Sequence, residues 1–309
     1  MSPSLSALLR SWDLRAEIIV ALAIAGITYS LGWKRLRAAR SSPKSKTRHN
    51  RPDRFLASPW RLASYLSGIS LLTLALLSPI DVLGGHLFFM HMIQHLMLIM
   101  IIPPLLLIAN PLPFILWGLP APARRSMSRW LSKGASFRKT LRILTRPGLV
   151  WILCVTLLIG WHDPSAYNAA LRSEIMHDLE HATFFGSAML FWWHITGAGP
   201  RIHGRFTNKM RIGYLIAMLP PNMLAGVTIT FATQPLYNYY ISMPRLWGMT
   251  VMQDQMLGGL IMWIPGSMMY IIALIVVILG LLSDNKKKVS PSNSAWTSEH
   301  AATLPRHQA

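Results

Sequence analysis

Seven stretches of this sequence are apolar enough to lie in a lipid bilayer: about 16–32, 62–80, 87–109, 147–162, 177–195, 212–231 and 252–282. A transmembrane helix needs roughly 17–25 such residues. The fourth stretch is short; the seventh is long enough to tilt or to extend past the bilayer. Backbone buried in hydrocarbon must satisfy its own hydrogen bonds, which points to helices. Pro103-Pro104, Pro220-Pro221 and Pro265 interrupt three of the stretches. Such breaks persist in a membrane only where neighbouring helices or a cavity satisfy the freed backbone groups.

Composition agrees. Of 309 residues, 52% are hydrophobic and 13% charged, against about 25% charged in a soluble domain. The apolar content excludes a disordered chain. The single cysteine, Cys154, excludes a disulfide scaffold and a CxxC metal site.

The 30 Lys and Arg residues sort by loop. Ten lie in 33–61, eight in 110–146, four from Arg201 to Arg211 and four in the tail; the intervening loops and the N-terminus hold at most two each. The positive-inside rule then predicts seven crossings, with the N-terminus outside and the C-terminus in the cytoplasm. The expected architecture is an all-α, polytopic membrane helical bundle. It has an extracytoplasmic N-terminus (1–15), a seven-span membrane domain (16–282) with a basic cytoplasmic loop (33–61), and a polar cytoplasmic tail (283–309). The first stretch reads as an uncleaved span, because ten cations rather than a cleavage region follow it. The basic loops face anionic lipid headgroups. They hold no aromatic stacking platform, so no nucleic-acid partner is expected.

This topology gathers six of the eleven histidines near the outer face: His86, His91, His95, His162, His177 and His181. His91 and His95 are four apart on the third span, and His177 and His181 are four apart on the fifth. Residues at i and i+4 share a helical face, about 5–6 Å apart. Intramembrane ionisable groups are costly and point into the bundle. If the two spans are neighbours, four imidazoles can converge on one metal ion, with His162 at similar depth. His194, behind Trp192-Trp193, reads as an interface anchor.

Metal-bound imidazoles use carboxylates as outer support. Asp254, Glu180, Asp163 and Asp178 lie at matching depth, although Asp254 could equally complement its own helix dipole. Imidazole suits copper, zinc and iron, and thioethers favour Cu(I); the pair Met252 and Met256 offers sulfur at the outer end of the seventh span. The pattern fits copper and leaves zinc and haem open. No GxSxG, HExxH, phosphate loop or GxGxxG is present, so an enzyme is not expected. Three further classes stay open: a haem-binding membrane redox protein using His95 and His181, a copper transporter, and a structural scaffold that binds an oxidase.

Four segments carry a resemblance. The third span reads HMIQHLMLIMIIPPLLLIANP from His91; WHDPSAYNAALRSE runs from Trp161; HDLEHATFFGSAMLFWW begins at His177; DQMLGGLIMWIPG begins at Asp254. In order and placement they resemble the CtaG-type (caa3-type) cytochrome c oxidase assembly factors, a multi-span membrane family, over about 87–270. One departure is Asn110, where a Gly or another small residue is more usual. The resemblance implies a multi-pass protein of the bacterial inner (plasma) membrane. It implies a role in maturing cytochrome c oxidase, with copper delivered to a metal centre; the thioethers are what favour Cu(I). The implied partners are cytochrome c oxidase subunits and periplasmic copper chaperones.

Overall fold

Proline decides where many of the helices begin. In the computed structural model, which describes residues 10–41, 57–132, 134–200, 202–204 and 206–289, five helices open on a proline at their first position. Proline's fixed φ suits that position, and its missing N–H would find no partner there anyway. The described residues form twelve helices and no strand. They are α1 (Ala16–Ser41), α2 (Pro59–Leu77), α3 (Pro79–Gly84), α4 (Phe88–Ile108), α5 (Pro111–Gly118) and α6 (Ala121–Trp130). The rest are α7 (Ser136–Leu144), α8 (Pro147–Trp161), α9 (Pro164–Arg172), α10 (Glu174–Thr196), α11 (Asn208–Thr230) and α12 (Val251–Val289). A 3-10 turn covers Asn238–Ile241. Residues 1–9 and 42–56, most of the tail, and His49, His300 and His307 lie outside the described residues.

Five helices are long and apolar enough to cross a membrane: α1, α2, α4, α11 and α12. A sixth appears if α7 and α8, bent by 55°, count as one. The seven crossings expected from the sequence therefore become five or six by this measure. The fourth expected span, α8, has only 15 residues. The fifth, α10, has 23 residues, but Glu174, Asp178 and Glu180 crowd its first two turns. The helix that carries the most unusual chemistry is thus the one that looks least like a span.

A side chain repairs the proline break in α4. In α4 the helix widens to a π-turn over Met97–Ile101 just before Pro103-Pro104. Pro103 cannot donate to the carbonyl of Ile99, and Trp192 Nε1–H donates to it instead at 2.8 Å. Asn222 Nδ2 donates to the Met262 carbonyl at 3.2 Å, a contact that joins α11 to α12. Helices α11 and α12 approach so closely that a Cβ on Gly226 would sit 2.8 Å from the Trp263 nitrogen. Such small-residue contacts are how membrane helices gain packing energy.

Two clusters of buried side chains organise the bundle. One holds Tyr29, Tyr65, Leu98, Ile102 and Phe114, with Tyr29 and Tyr65 stacked at 3.8 Å. The other, around Phe88, Met92, Phe191, Trp192, Tyr214 and Tyr240, joins α4, α10, α11 and α12. Asn110 stands between α4 and α5 with φ 52°, a left-handed conformation that Asn tolerates better than most residues. That backbone accounts for Asn where a glycine would also serve.

Candidate metal centre

Helices α4 and α10 lie side by side, and their first turns bring both histidine pairs together. The ring centroids are 4.2 Å apart for His91 and His95 and 4.1 Å for His177 and His181. Across the helices, His91 lies 5.2 Å from His177 and 5.6 Å from His181, and His95 lies 5.4 Å from His181. His162, which ends α8, stands 6.0 Å from His95. Thus all five histidines singled out from sequence meet in one place.

Glu180 is also there. Expected as an outer support, it instead projects among the rings, and its side chain has no solvent exposure. Its oxygens lie 3.8 Å from His91 Nε2 and 3.7 Å from His95 Nε2, too long for hydrogen bonds. One ligand atom each from His91, His177, Glu180 and His181 lies within 4.8 Å of the others. His91 Nε2 and His181 Nε2 are 3.4 Å apart. Two ligands of one tetrahedral ion, each about 2.0–2.1 Å from it, are separated by about 3.3 Å.

The partner bookkeeping of this cluster is unusual. Both ring nitrogens of His95, Nε2 of His162, Nδ1 of His181 and both carboxylate oxygens of Glu180 are buried without a hydrogen-bond partner. Each such atom costs about 1–3 kcal/mol, and more when charged. Folded proteins keep few such atoms. Six in one cluster fit a bound cation, which imidazole lone pairs and one carboxylate are suited to hold.

Two rings are held with a lone pair facing inward. His162 Nδ1 lies 2.7 Å from the Leu158 carbonyl, which can only accept, so Nδ1 carries the proton and Nε2 the lone pair. His91 is oriented by a longer chain. Tyr240 donates to the Gly84 carbonyl at 2.8 Å, Tyr167 and Tyr240 hydroxyls are 3.2 Å apart, and Tyr167 lies 2.7 Å from His91 Nδ1. Every link has a donor and an acceptor only if His91 Nδ1–H donates to Tyr167 and Tyr167 donates to Tyr240. His91 Nε2 then faces Glu180 and His181 with its lone pair. Burial raises the pKa of both tyrosine hydroxyls well above the ordinary range, so both keep the protons this chain needs. Partners of this kind orient metal-binding imidazoles.

The other expected supports have different work. Asp254 directs both oxygens to the first backbone N–H groups of α4, those of Phe88 and Phe89, at 3.0 and 2.9 Å. It therefore caps the helix that carries His91 and His95, rather than its own. Asp163 caps α9 through the N–H groups of Ser165 and Ala166. Asp178 pairs with Arg15 at 2.5 Å, and Arg15 also meets Asp13, tying the segment before α1 to α10. Met256 is 46% exposed and Met252 half-buried, and neither shares in the convergent group. His86, just past the end of α3, bonds back to the Val82 carbonyl of that helix.

Sequence reasoning passed over three residues. Tyr167 lies inside the WHDPSAYNAAL segment, so a signal was present, but a tyrosine there could as well be core. Gln94 sits between the two α4 histidines; its amide donates to the Ala75 carbonyl and to Asp81 at 2.8 and 2.6 Å. Burial raises the Asp81 pKa against that hydrogen bond. Tyr240 lies in an unremarkable PLYNYY stretch, and no local signal marks it.

The chain is 24% identical over 311 aligned positions to uncharacterized proteins of Mycobacterium bovis and Mycobacterium tuberculosis, covering 97% of this chain and 43% of each relative. An uncharacterized Mycobacterium leprae protein is 25% identical over 278 positions, covering 86% of this chain and 38% of that protein. The chain thus spans less than half the length of these curated relatives. No solved structure matches it. The family model for the cytochrome c oxidase caa3 assembly factor matches residues 27–284, a region that contains every residue of the cluster. The chain belongs to the cytochrome c oxidase caa3 assembly factor family.

Proposed function

We propose that this protein takes up a copper ion at the histidine end of its bundle and passes it to cytochrome c oxidase during assembly. The observation that carries this reading is the set of six partnerless buried atoms on His95, His162, Glu180 and His181. His91 and His177 complete the ligand set, with Tyr167 and Tyr240 as orienting partners. Copper is cargo here, so the site must release it as well as bind it. An excess of candidate nitrogens around one position allows exchange of one ligand at a time.

Charge favours the monovalent ion. One buried carboxylate and Cu(I) sum to zero, whereas a divalent ion would leave a net charge away from water, where charge is expensive. A haem is less well accommodated. The rings lie tilted or edge-on to one another with centroids 4.1 to 5.6 Å apart, and the cavity beside His95 and His162 is about 50 Å³. Pockets for organic ligands run to roughly 300–1,000 Å³.

The membrane placement belongs to the same proposal. Seven crossings, with α7–α8 and α10 each counted as one, put the N-terminus and the histidines outside and the basic loops in the cytoplasm. Copper then arrives from the periplasmic side of the inner membrane, handed over by a periplasmic chaperone.

The test is metal content and an optical spectrum of protein purified anaerobically in detergent, beside a variant with His91, His95, His177 and His181 all replaced by Ala. Copper in the parent and a clear loss of it in the variant, with no haem Soret band, is the expected result. In cells, His95→Ala or His181→Ala should stop oxidase maturation while the protein still inserts. Full oxidase activity in both would overturn the proposal.

A further inference from the structure

Behind the histidines the bundle encloses a narrow cavity that none of the preceding chemistry uses. It begins at His95 and His162 and runs between α4, α8, α10, α11 and α12. Along α4 its lining extends from Met92 to Met100, and along α10 from Phe184 to Trp192. Eight residues of helix make that about 12 Å. Five sulfur side chains line it: Met92, Met100, Met218, Met262 and Cys154. All five are at least nine-tenths buried, and they come from four different helices. Asn222, Trp192 and Tyr270 also line it.

Methionine often fills gaps in cores, but a filler methionine removes a void. These surround one that remains, about 50 Å³ in volume, enough for a few water-sized particles. Its histidine end is marked by buried, partnerless nitrogens, His95 Nδ1 and Nε2 and His162 Nε2. The π-turn at Met97–Ile101 places Met100 on this wall, and such turns recur at functional sites.

We propose that this cavity is a second metal station, a thioether and thiol site selective for Cu(I), continuous with the histidine centre through His95 and His162. The proposal rests on the copper reading of that centre. Thioethers, four of the five sulfur donors here, are soft ligands that favour Cu(I). The chamber adds no charge, so it holds a monovalent ion weakly enough to return it to the histidines. The chain would then carry two copper ions of different ligation, one exchangeable at the surface of the bundle and one held in reserve.

The experiment uses the full chain in detergent, anaerobically, titrated with Cu(I) against a chromophoric Cu(I) chelator and measured by X-ray absorption. The parent should bind two equivalents, with both nitrogen and sulfur scatterers. Met92→Leu, Met100→Leu, Met218→Leu and Met262→Leu combined with Cys154→Ala should remove one equivalent and the sulfur signal, leaving the nitrogen signal. Leu and Met are close in volume, and the elution profile of the variant checks its fold. Zinc binding should be the same in parent and variant. Nitrogen-only scattering in the parent, which needs no variant to interpret, would overturn the sulfur station while leaving the histidine centre intact. In the fourfold histidine variant sulfur scattering should survive while the copper content falls, and an unchanged copper content there would overturn the histidine centre.

Discussion

The bundle has histidines at both ends, and the two sets differ in how their nitrogens are satisfied. At the end opposite the cluster, His194 and His203 lie with ring centroids 5.4 Å apart, as near to each other as His95 is to His181. Both, however, are bonded to Thr145. His194 Nε2 donates to its carbonyl at 3.0 Å, and His203 Nε2 donates to its hydroxyl at 2.7 Å. That hydroxyl in turn donates to the Leu141 carbonyl at 2.6 Å. The acceptors settle where the protons sit, and the pair ties the loop before α11 to the bend between α7 and α8. At the other end, ring nitrogens and a carboxylate converge and find no protein partner. Proximity of histidines is therefore not the mark of a ligand site; unspent hydrogen-bonding capacity is.

This contrast can be broken experimentally. The largest effect is expected from Glu180→Gln, which keeps the shape but removes the only anion among the rings. Copper retention against a competing chelator should fall at least tenfold, and unchanged retention would remove Glu180 from the centre. Next comes Tyr167→Phe, which cuts the chain that orients His91. Loss of such a partner lowers metal affinity about 10- to 100-fold, read in the same competition assay, with Tyr240→Phe weaker in the same direction. His203→Ala and His194→Ala should leave copper binding unchanged. Each should cost about 0.5–1.5 kcal/mol of stability for a lost hydrogen bond, seen as a lower midpoint of thermal unfolding in detergent. Copper loss in either would show that the two ends are not independent. Asp254→Asn should be intermediate in kind. It keeps acceptor capacity for one of the two α4 N–H groups and costs about 0.5–2 kcal/mol as a weakened cap, with a smaller fall in copper affinity through the altered start of α4.

Much of the centre was legible in the sequence because its grammar is local. The i, i+4 spacing of His91 with His95 and of His177 with His181 needs only helical geometry. Their common depth needs only the positions of the apolar stretches. The acids were harder to read. Asp254, Glu180, Asp163 and Asp178 look alike as carboxylates near an outer face, yet one caps a distant helix, one enters the cluster, one caps its own helix and one pairs with Arg15. Phe88 and Asp254 are 166 positions apart, and no pattern within a helix carries that distance. The methionine pair Met252 and Met256 obeys the same spacing rule as the histidines, but it sits outside the convergent group. Spacing shows which side chains share a face, not what that face meets.

By itself the sequence determined that this chain is helical, that several helices can cross a membrane, and that paired imidazoles sit near one end. Hydrophobic transfer and helical periodicity act over a few residues, so a linear reading captures them. Only the tertiary structure decided that Glu180 stands inside the cluster, that Tyr167 and Tyr240 orient His91, and that five sulfurs from four helices line one cavity. Those facts depend on which helices are neighbours and how they are rotated, and these follow from packing of the whole bundle.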